Sequence, residues 1–301
     1  HRTTLKAQPI LRGKLEPRSL SITGAKIALR RLADGSLDVA VGQEGVGAST
    51  SLEPAEIVGV IDRAFEAPVL NGIETITVDG LDLTLRDDRS DKVWAAADGW
   101  LTLTQDKRDL SIDLGFALEE AGQPRGRAQI AFASVKGSTE ATVSMRVTDV
   151  SARDLAAQSP ALAWLGALDA PISGALQSGI SADGAYAALD GSLEIGAGAL
   201  QPTPGTKPVR FDRARFELSY DPAAAALRFS DIVVDGPALK VRASAKAWLK
   251  DFAGAFPTAL VGQIAITDLQ ADPEGVFADA VAFNQGALDF RLADQIGRAH
   301  V

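Results

Sequence analysis

The residues able to do chemistry in this 301-residue chain are almost all carboxylates. Histidine occurs twice, at His1 and His300. A Ser/His/Asp triad needs an imidazole held beside a nucleophile by a third group, and neither end of the chain offers that setting. Cysteine is absent, which removes thiolate zinc sites and disulfide frameworks together. No Gly-Lys-Ser/Thr phosphate loop occurs. Gly45-Val-Gly47-Ala-Ser-Thr50 comes nearest to a dinucleotide fingerprint, but it lacks the third small residue and its helix starts too late, so it reads as a loop. Gly196-Ala-Gly198 has no helix after it. The carboxylate pairs are Asp79 and Asp82, Asp87 and Asp88, and Glu119 and Glu120. Two opposed carboxyls at a set separation can hydrolyse a glycosidic bond. These sit at turns or strand ends, where solvated acids are ordinary. Asp87-Asp-Arg-Ser-Asp91 has the acid density of a calcium loop, but Arg89 inside it opposes a cation. The reading is a non-enzyme with no catalytic residue, cofactor or metal site.

Charge narrows the partners. The net charge is −9, and a nucleic-acid binder needs a cationic footprint to displace counterions from phosphates. No nucleic acid is expected. The basic cluster Arg2, Lys6, Arg12, Lys14 and Arg18 reads as a solvated segment rather than a membrane-facing patch. No apolar run approaches the roughly 20 residues needed to span a bilayer as a helix. The lack of cysteine fits an oxidising compartment. The chain opens without Met, which reads as a lost N-terminus. Ile296-Gly-Arg-Ala-His-Val301 reads as a translated sequencing adapter, to be set aside from fold reasoning.

The elements that would position any site are strands. Alternation of period two runs through Leu20 and Ile22, Ile27 and Leu29, Leu37 to Val41, and Leu81 to Leu85. It is clearest in Leu110, Ile112, Leu114, Phe116 and Leu118. It continues in Ile130 and Phe132, Val143 to Val147, Leu193 and Ile195, Phe216 to Tyr220, and Leu227 and Phe229. Leu239 and Val241, then Leu260, Ile264 and Ile266, complete it. Ala33-Asp34-Gly35 closes a hairpin, and 201–208 is a loop between strands. Short helices are expected near 54–66, near 159–168 and after Asp272-Pro273 with Val276, Phe277 and Val281 on one face.

Three segments repeat. Leu20-Ser-Ile-Thr-Gly24-Ala-Lys-Ile27-Ala-Leu29-Arg30 aligns with Ile76-Thr-Val-Asp-Gly80-Leu-Asp-Leu83-Thr-Leu85-Arg86 and with Ile232-Val-Val-Asp-Gly236-Pro-Ala-Leu239-Lys-Val241-Arg242. In each, the apolar positions change parity across the glycine. A Gly-marked bulge there would keep the apolar residues on one face. Val147-Thr-Asp-Val150 and Ile266-Thr-Asp-Leu269 form a second echo. Such repeats point to growth by addition along a sheet.

Residues 11–30, from Leu11-Arg-Gly through Pro17 to Gly24 and Arg30, resemble the early β segment of AsmA-like envelope proteins. Leu165-Gly-Ala-Leu-Asp-Ala-Pro171-Ile-Ser-Gly174, then Gly191 to Leu200 and Pro208-Val-Arg-Phe211-Asp, are similar to the YhdP branch, which is related to TamB. The resemblance covers most of residues 11–295. It implies a periplasmic protein anchored in the inner membrane, whose β-sheet groove carries phospholipid acyl chains between inner and outer membranes. Anchor and membrane contacts would lie in parts absent from this fragment. The expected fold is therefore all-β, an elongated, curved antiparallel sheet with a few short capping α-helices. The expected parts are 1–146, a second β-repeat unit at 147–265, the start of a further repeat at 266–295, and the artefactual tail 296–301. Alternation alone fits a closed sandwich, of the kind an adhesin-like or structural module would use. The resemblance favours the groove, lined by Ile112, Leu114, Phe116, Ile130, Phe132, Leu218 and Val241.

Overall fold

Alternating sequences of this kind fold as half-buried strands, and strands dominate the computed structural model. It describes residues 3–5, 17–32, 37–41, 72–88, 92–120, 123–156, 165–185, 187–201, 203, 205–253, 256–272 and 279–293. Among them the chain is all-β, with one short helix, α1 (Ala152–Ala156). The strands do not close into a barrel. The chain divides into two compact units, 1–146 with 178–186, and 147–177 with 187–301.

In the first unit, β1 (Thr3–Leu5), β2 (Pro17–Thr23), β3 (Lys26–Arg31) and β4 (Leu37–Val41) precede four long strands. These are β5 (Thr75–Asp87), β6 (Lys92–Gln105), β7 (Asp109–Glu120) and β8 (Gln123–Val135), an antiparallel meander. β9 (Ala141–Ser151) follows. β3 and β4 form the expected hairpin, Ile27 opposite Val41 and Arg31 opposite Leu37, while its turn residues 33–36 lie outside the described residues.

One local pairing departs from the antiparallel expectation. β2 and β3 lie end to end along β5 and run parallel to it. The first two repeat copies are thus laid side by side in register, Leu20 beside Ile76 and Leu29 beside Leu85. Residues 42–74 give the chain length enough to return for a parallel pairing, which a tight hairpin cannot do.

The glycines of those copies are the expected bulges. Gly24 and Gly80 have φ of 74° and 66°, a left-handed conformation that glycine adopts without a Cβ penalty. They adjoin each other, with the Gly24 amide donating to the Asp79 carbonyl at 2.9 Å. The irregularity continues on β6 at Asp98, φ 50°, where pairing with β5 and β7 slips.

The third copy behaves otherwise. Gly236 sits in the connection between β16 (Ala226–Asp235) and β17 (Leu239–Ala253), which pair antiparallel with Val234 opposite Val241. The copy is therefore a hairpin, because Pro237 removes an amide donor and breaks the strand just after the glycine. Gly236 is glycine for room, since a Cβ there would lie 2.7 Å from the Cα of Phe211. The bulge of β16 falls instead at Asp231, φ 47°.

The second unit holds a main antiparallel sheet in the order β11 (Pro171–Ile180), β12 (Leu189–Ile195), β15 (Arg213–Asp221), β16, β17, β18 (Phe256–Ala271). β19 (Val281–Phe283) and β20 (Gly286–Ala293) share the far side of β18. A separate small sheet joins β10 (Leu168–Asp169), β13 (Gly198–Leu200) and β14 (Val209–Phe211).

Two helix expectations need correction. Residues 165–167 form a 3₁₀ turn and Leu168 begins a strand, so the segment near 159–168 does not end as a helix; 157–164 lie outside the described residues. Val281 lies in β19, and 273–278 lie outside. Short strands of two or three residues carry no readable period, which is why the small sheet was invisible in the sequence. The helix near 54–66, the Gly45 loop, His1, His300 and the tail 296–301 all lie outside the described residues.

Candidate functional site

Side chains alternate across a strand, so register decides which residues share a face. In the first unit, pairing places Leu20, Ile76, Leu103, Ile112 and Phe132 in one row. Ile22, Val78, Leu101, Leu114 and Ile130 form the next. Beyond the bulges, Leu29, Leu85 and Trp94 continue the apolar run. The opposite face carries Thr77, Thr102 and Asp113, and Thr75, Thr104 and Ser111.

Four of the predicted lining residues, Ile112, Leu114, Ile130 and Phe132, thus meet as two cross-strand pairs, and Phe116 lies opposite Ala128. All five are half-buried. Phe132 also packs against Ala141 and Ile180, so part of its surface has a structural partner.

A polar row ends this face. Gln105 lies opposite Leu110, and Leu110 opposite Ser134. The Gln105 amide donates to the Ile73 carbonyl at 2.7 Å, and Lys136 Nζ donates to Gln105 Oε1 at 2.6 Å. Buried Gln105 thereby joins the β6 end to the β8–β9 turn without an unmet amide.

The second unit repeats the design on a wider sheet. One row reads Ile172, Ile195, Ala214, Val234, Val241, Leu269, Phe283. Another reads Leu176, Gly191, Leu218, Phe229, Ala245, Ile264, Leu288. A third reads Leu189, Tyr220, Leu227, Ala247, Gly262, Phe290. Gly262 is small for a reason, since a Cβ there would come within 2.8 Å of the Phe290 ring.

The two ends of these rows differ. Over β11, β12, β15 and β16, α1, the 3₁₀ turn and the small sheet form a cap. Ala152, Leu165, Leu168, Ala170 and Phe211 of the cap pack with Ile172, Ile195 and Phe216 of the sheet. Leu218, Phe229, Ile232 and Val234 border this cluster, and the Phe216 and Phe229 rings meet edge-on at 5.8 Å. Among the described residues, no side chain of β17, β18 or β20 belongs to it. Val241, Ile264 and Phe290 are half-buried, and Leu288 is 56% exposed. Of the two predicted lining residues here, Leu218 packs against the capped cluster, whereas Val241 is not among its members. Ile264, Leu288 and Phe290 were missed or unranked. Ile264 was visible as alternation, and Leu288, Phe290 and Leu292 alternate as well, in a strand left unassigned from the sequence.

Asp79 and Asp82 are exposed. Asp88 accepts from Arg30 Nε at 2.8 Å and lies 3.3 Å from Arg86 Nε, which fixes it as a strand-end ion pair. Among the described residues no group of three metal-binding side chains occurs, and no helix is long and apolar enough to cross a membrane. Compared with known proteins, the chain matches no family model, no curated protein and no solved structure.

Proposed function

We propose that this chain is a non-catalytic segment of an AsmA-like envelope protein, and that its apolar sheet faces carry phospholipid acyl chains in the periplasm. The observation that carries the reading is the uncapped half of the second sheet. Leu269, Ala245, Ile264, Leu288 and Phe290 lie on one apolar face next to a region already sealed by its own cap, and Ala247 and Gly262 of that face are buried. Covering apolar surface yields roughly 25 cal/mol per Å², so a few hundred Å² under an acyl chain would be worth several kcal/mol. Alkyl chains suit this part of the face because none of those side chains forms hydrogen bonds.

The competing reading is a closed packing typical of a structural or adhesin-like module. The cap over β11 to β16 is the observation in its favour, since it shows that part of the face is internal core.

Lipid co-purification separates the two. The chain is expressed in a bacterial periplasm and bound lipids are measured by mass spectrometry beside Leu288→Asp. Leu288 is exposed enough for the substitution to leave the fold intact, whereas Phe132 has packing partners whose loss would confuse the result. Phospholipid on the wild type and a reduced amount on folded Leu288→Asp is the expected outcome. A folded wild type that never carries lipid would sink the conduit reading.

A further inference from the structure

The opposite, polar face of the second sheet carries a feature that lipid carriage does not use. On β17 the polar positions read Lys240, Arg242, Ser244, Lys246, Trp248, Lys250, a cation at four of six places in a chain of net charge −9. Arg228 of β16 stands directly opposite Lys246. Arg215 of β15 lies in the row of Arg242, across Val233. Like charges placed directly opposite on one face are destabilising. Yet Arg228 and Lys246 are both exposed, and neither makes an ion pair among the described residues. Lys240, Arg242 and Lys250 are in the same position, whereas Arg213 is engaged by Asp235 at 3.0 Å. Lys246 instead sits 5.0 Å over the Trp248 ring.

Acidic residues flank this strip. Glu217 and Asp221 lie diagonal to Arg228, Glu194 opposite Arg215, Asp268 opposite Arg242, and Asp289 beyond Gln263. A broad anionic plane such as a membrane would meet those acids as well as the cations. A narrow polyanion one chain wide would meet the cations alone.

We propose that the β16–β17 strip docks an extended acidic peptide segment carrying Asp or Glu at every second position. The match is one of period. Alternate side chains on β17 are about 6.8 Å apart, and one face of an extended peptide repeats at the same interval. Carboxylates at that interval would stand over Lys240, Arg242, Lys246 and Lys250, the intervening ones falling at Ser244 and Trp248, with one bridging Arg228 and Lys246 and removing their mutual repulsion. This site is independent of the lipid reading.

The test is fluorescence anisotropy of a labelled (Glu-Thr)₆ peptide with the full chain at low salt. The comparison probes are a block-charged peptide of equal composition, an oligothymidylate and vesicles containing phosphatidylglycerol. The alternating peptide should bind best, weaken with salt, and lose roughly tenfold in affinity in Arg228→Gln/Lys246→Gln, equivalent to about 1.4 kcal/mol. The same double substitution should raise the melting temperature of the free protein by relieving the like-charge pair, which also reports that it folds. Equal binding of both peptides, preference for oligothymidylate or vesicles, or unchanged affinity in the folded double variant would each overturn the proposal.

Discussion

At the residue scale, small polar side chains that close turns matter more than any candidate catalyst. Asp106 shows the mechanism. Its Oδ1 accepts from the amides of Arg108 at 2.7 Å and Asp109 at 2.8 Å, closing the β6–β7 turn. Those amides, Asp109 first, hold the carboxyl below its ordinary value of 3.8, with Lys136 adding to the effect. A carboxylate depressed in the folded state contributes stability above its unfolded pKa and loses it as pH falls through the folded value. Asp106→Asn should therefore be less stable than the wild type at neutral pH. Urea titrations at several pH values should show that difference shrinking once pH drops below about 3.8. Asp is a residue type suited to turns, but Asp106 was not singled out from the sequence. Which amides it would accept from was not readable, because that depends on backbone angles rather than residue type.

At the element scale, the bulges decide whether each long strand keeps its apolar residues on one face. Their sequence signature is a change of parity, and it was legible at Gly24 and Gly80 because glycine marks the spot. It was hidden at Asp98 and Asp231, where aspartate takes the left-handed conformation instead. Asp149, φ 55°, explains the Val147-Thr-Asp-Val150 echo in the same way. In Ile266-Thr-Asp-Leu269 the pairing with β17 slips at the corresponding place. The rule to carry forward is that Asp between two alternating runs of opposite parity marks a bulge as well as glycine does. It yields an asymmetric prediction. Gly80→Ala has room, its Cβ falling 3.7 Å from the Gly24 nitrogen, but must adopt φ near 66°. It should cost roughly 1–2 kcal/mol. Asp98→Gly removes a Cβ from a left-handed position while loosening the unfolded chain, so it should stay within about 0.5 kcal/mol of wild type. Chemical denaturation of the pair measures both. If Asp98→Gly were the more damaging, the aspartate side chain rather than the backbone would be holding the bulge.

At the scale of the whole molecule, the sequence conveyed the class of fold and the existence of an apolar face, but not how that face is divided. Alternation says that Leu218 and Val241 face the same way, and they do. It cannot say that Leu218 packs against the capped cluster and Val241 is not a member of it, because the cap is assembled from α1, a 3₁₀ turn and three strands of two or three residues from separate parts of the chain. The division matters for the proposed role. Each unit carries its own apolar rows, with Leu114 central in the first and Leu288 exposed in the second. If acyl chains lie on each face separately, Leu114→Asp and Leu288→Asp should each remove part of the co-purifying phospholipid, and the double variant should remove nearly all. Phosphate per protein after gel filtration measures this, with circular dichroism to confirm that each variant is folded. Additive loss would mean that each sheet supplies its own apolar surface. Complete loss from either single substitution would count against separate binding on the two faces. Retention of all lipid in the folded double variant would remove these faces from the binding site altogether, leaving the closed-packing reading as the one that fits the rows.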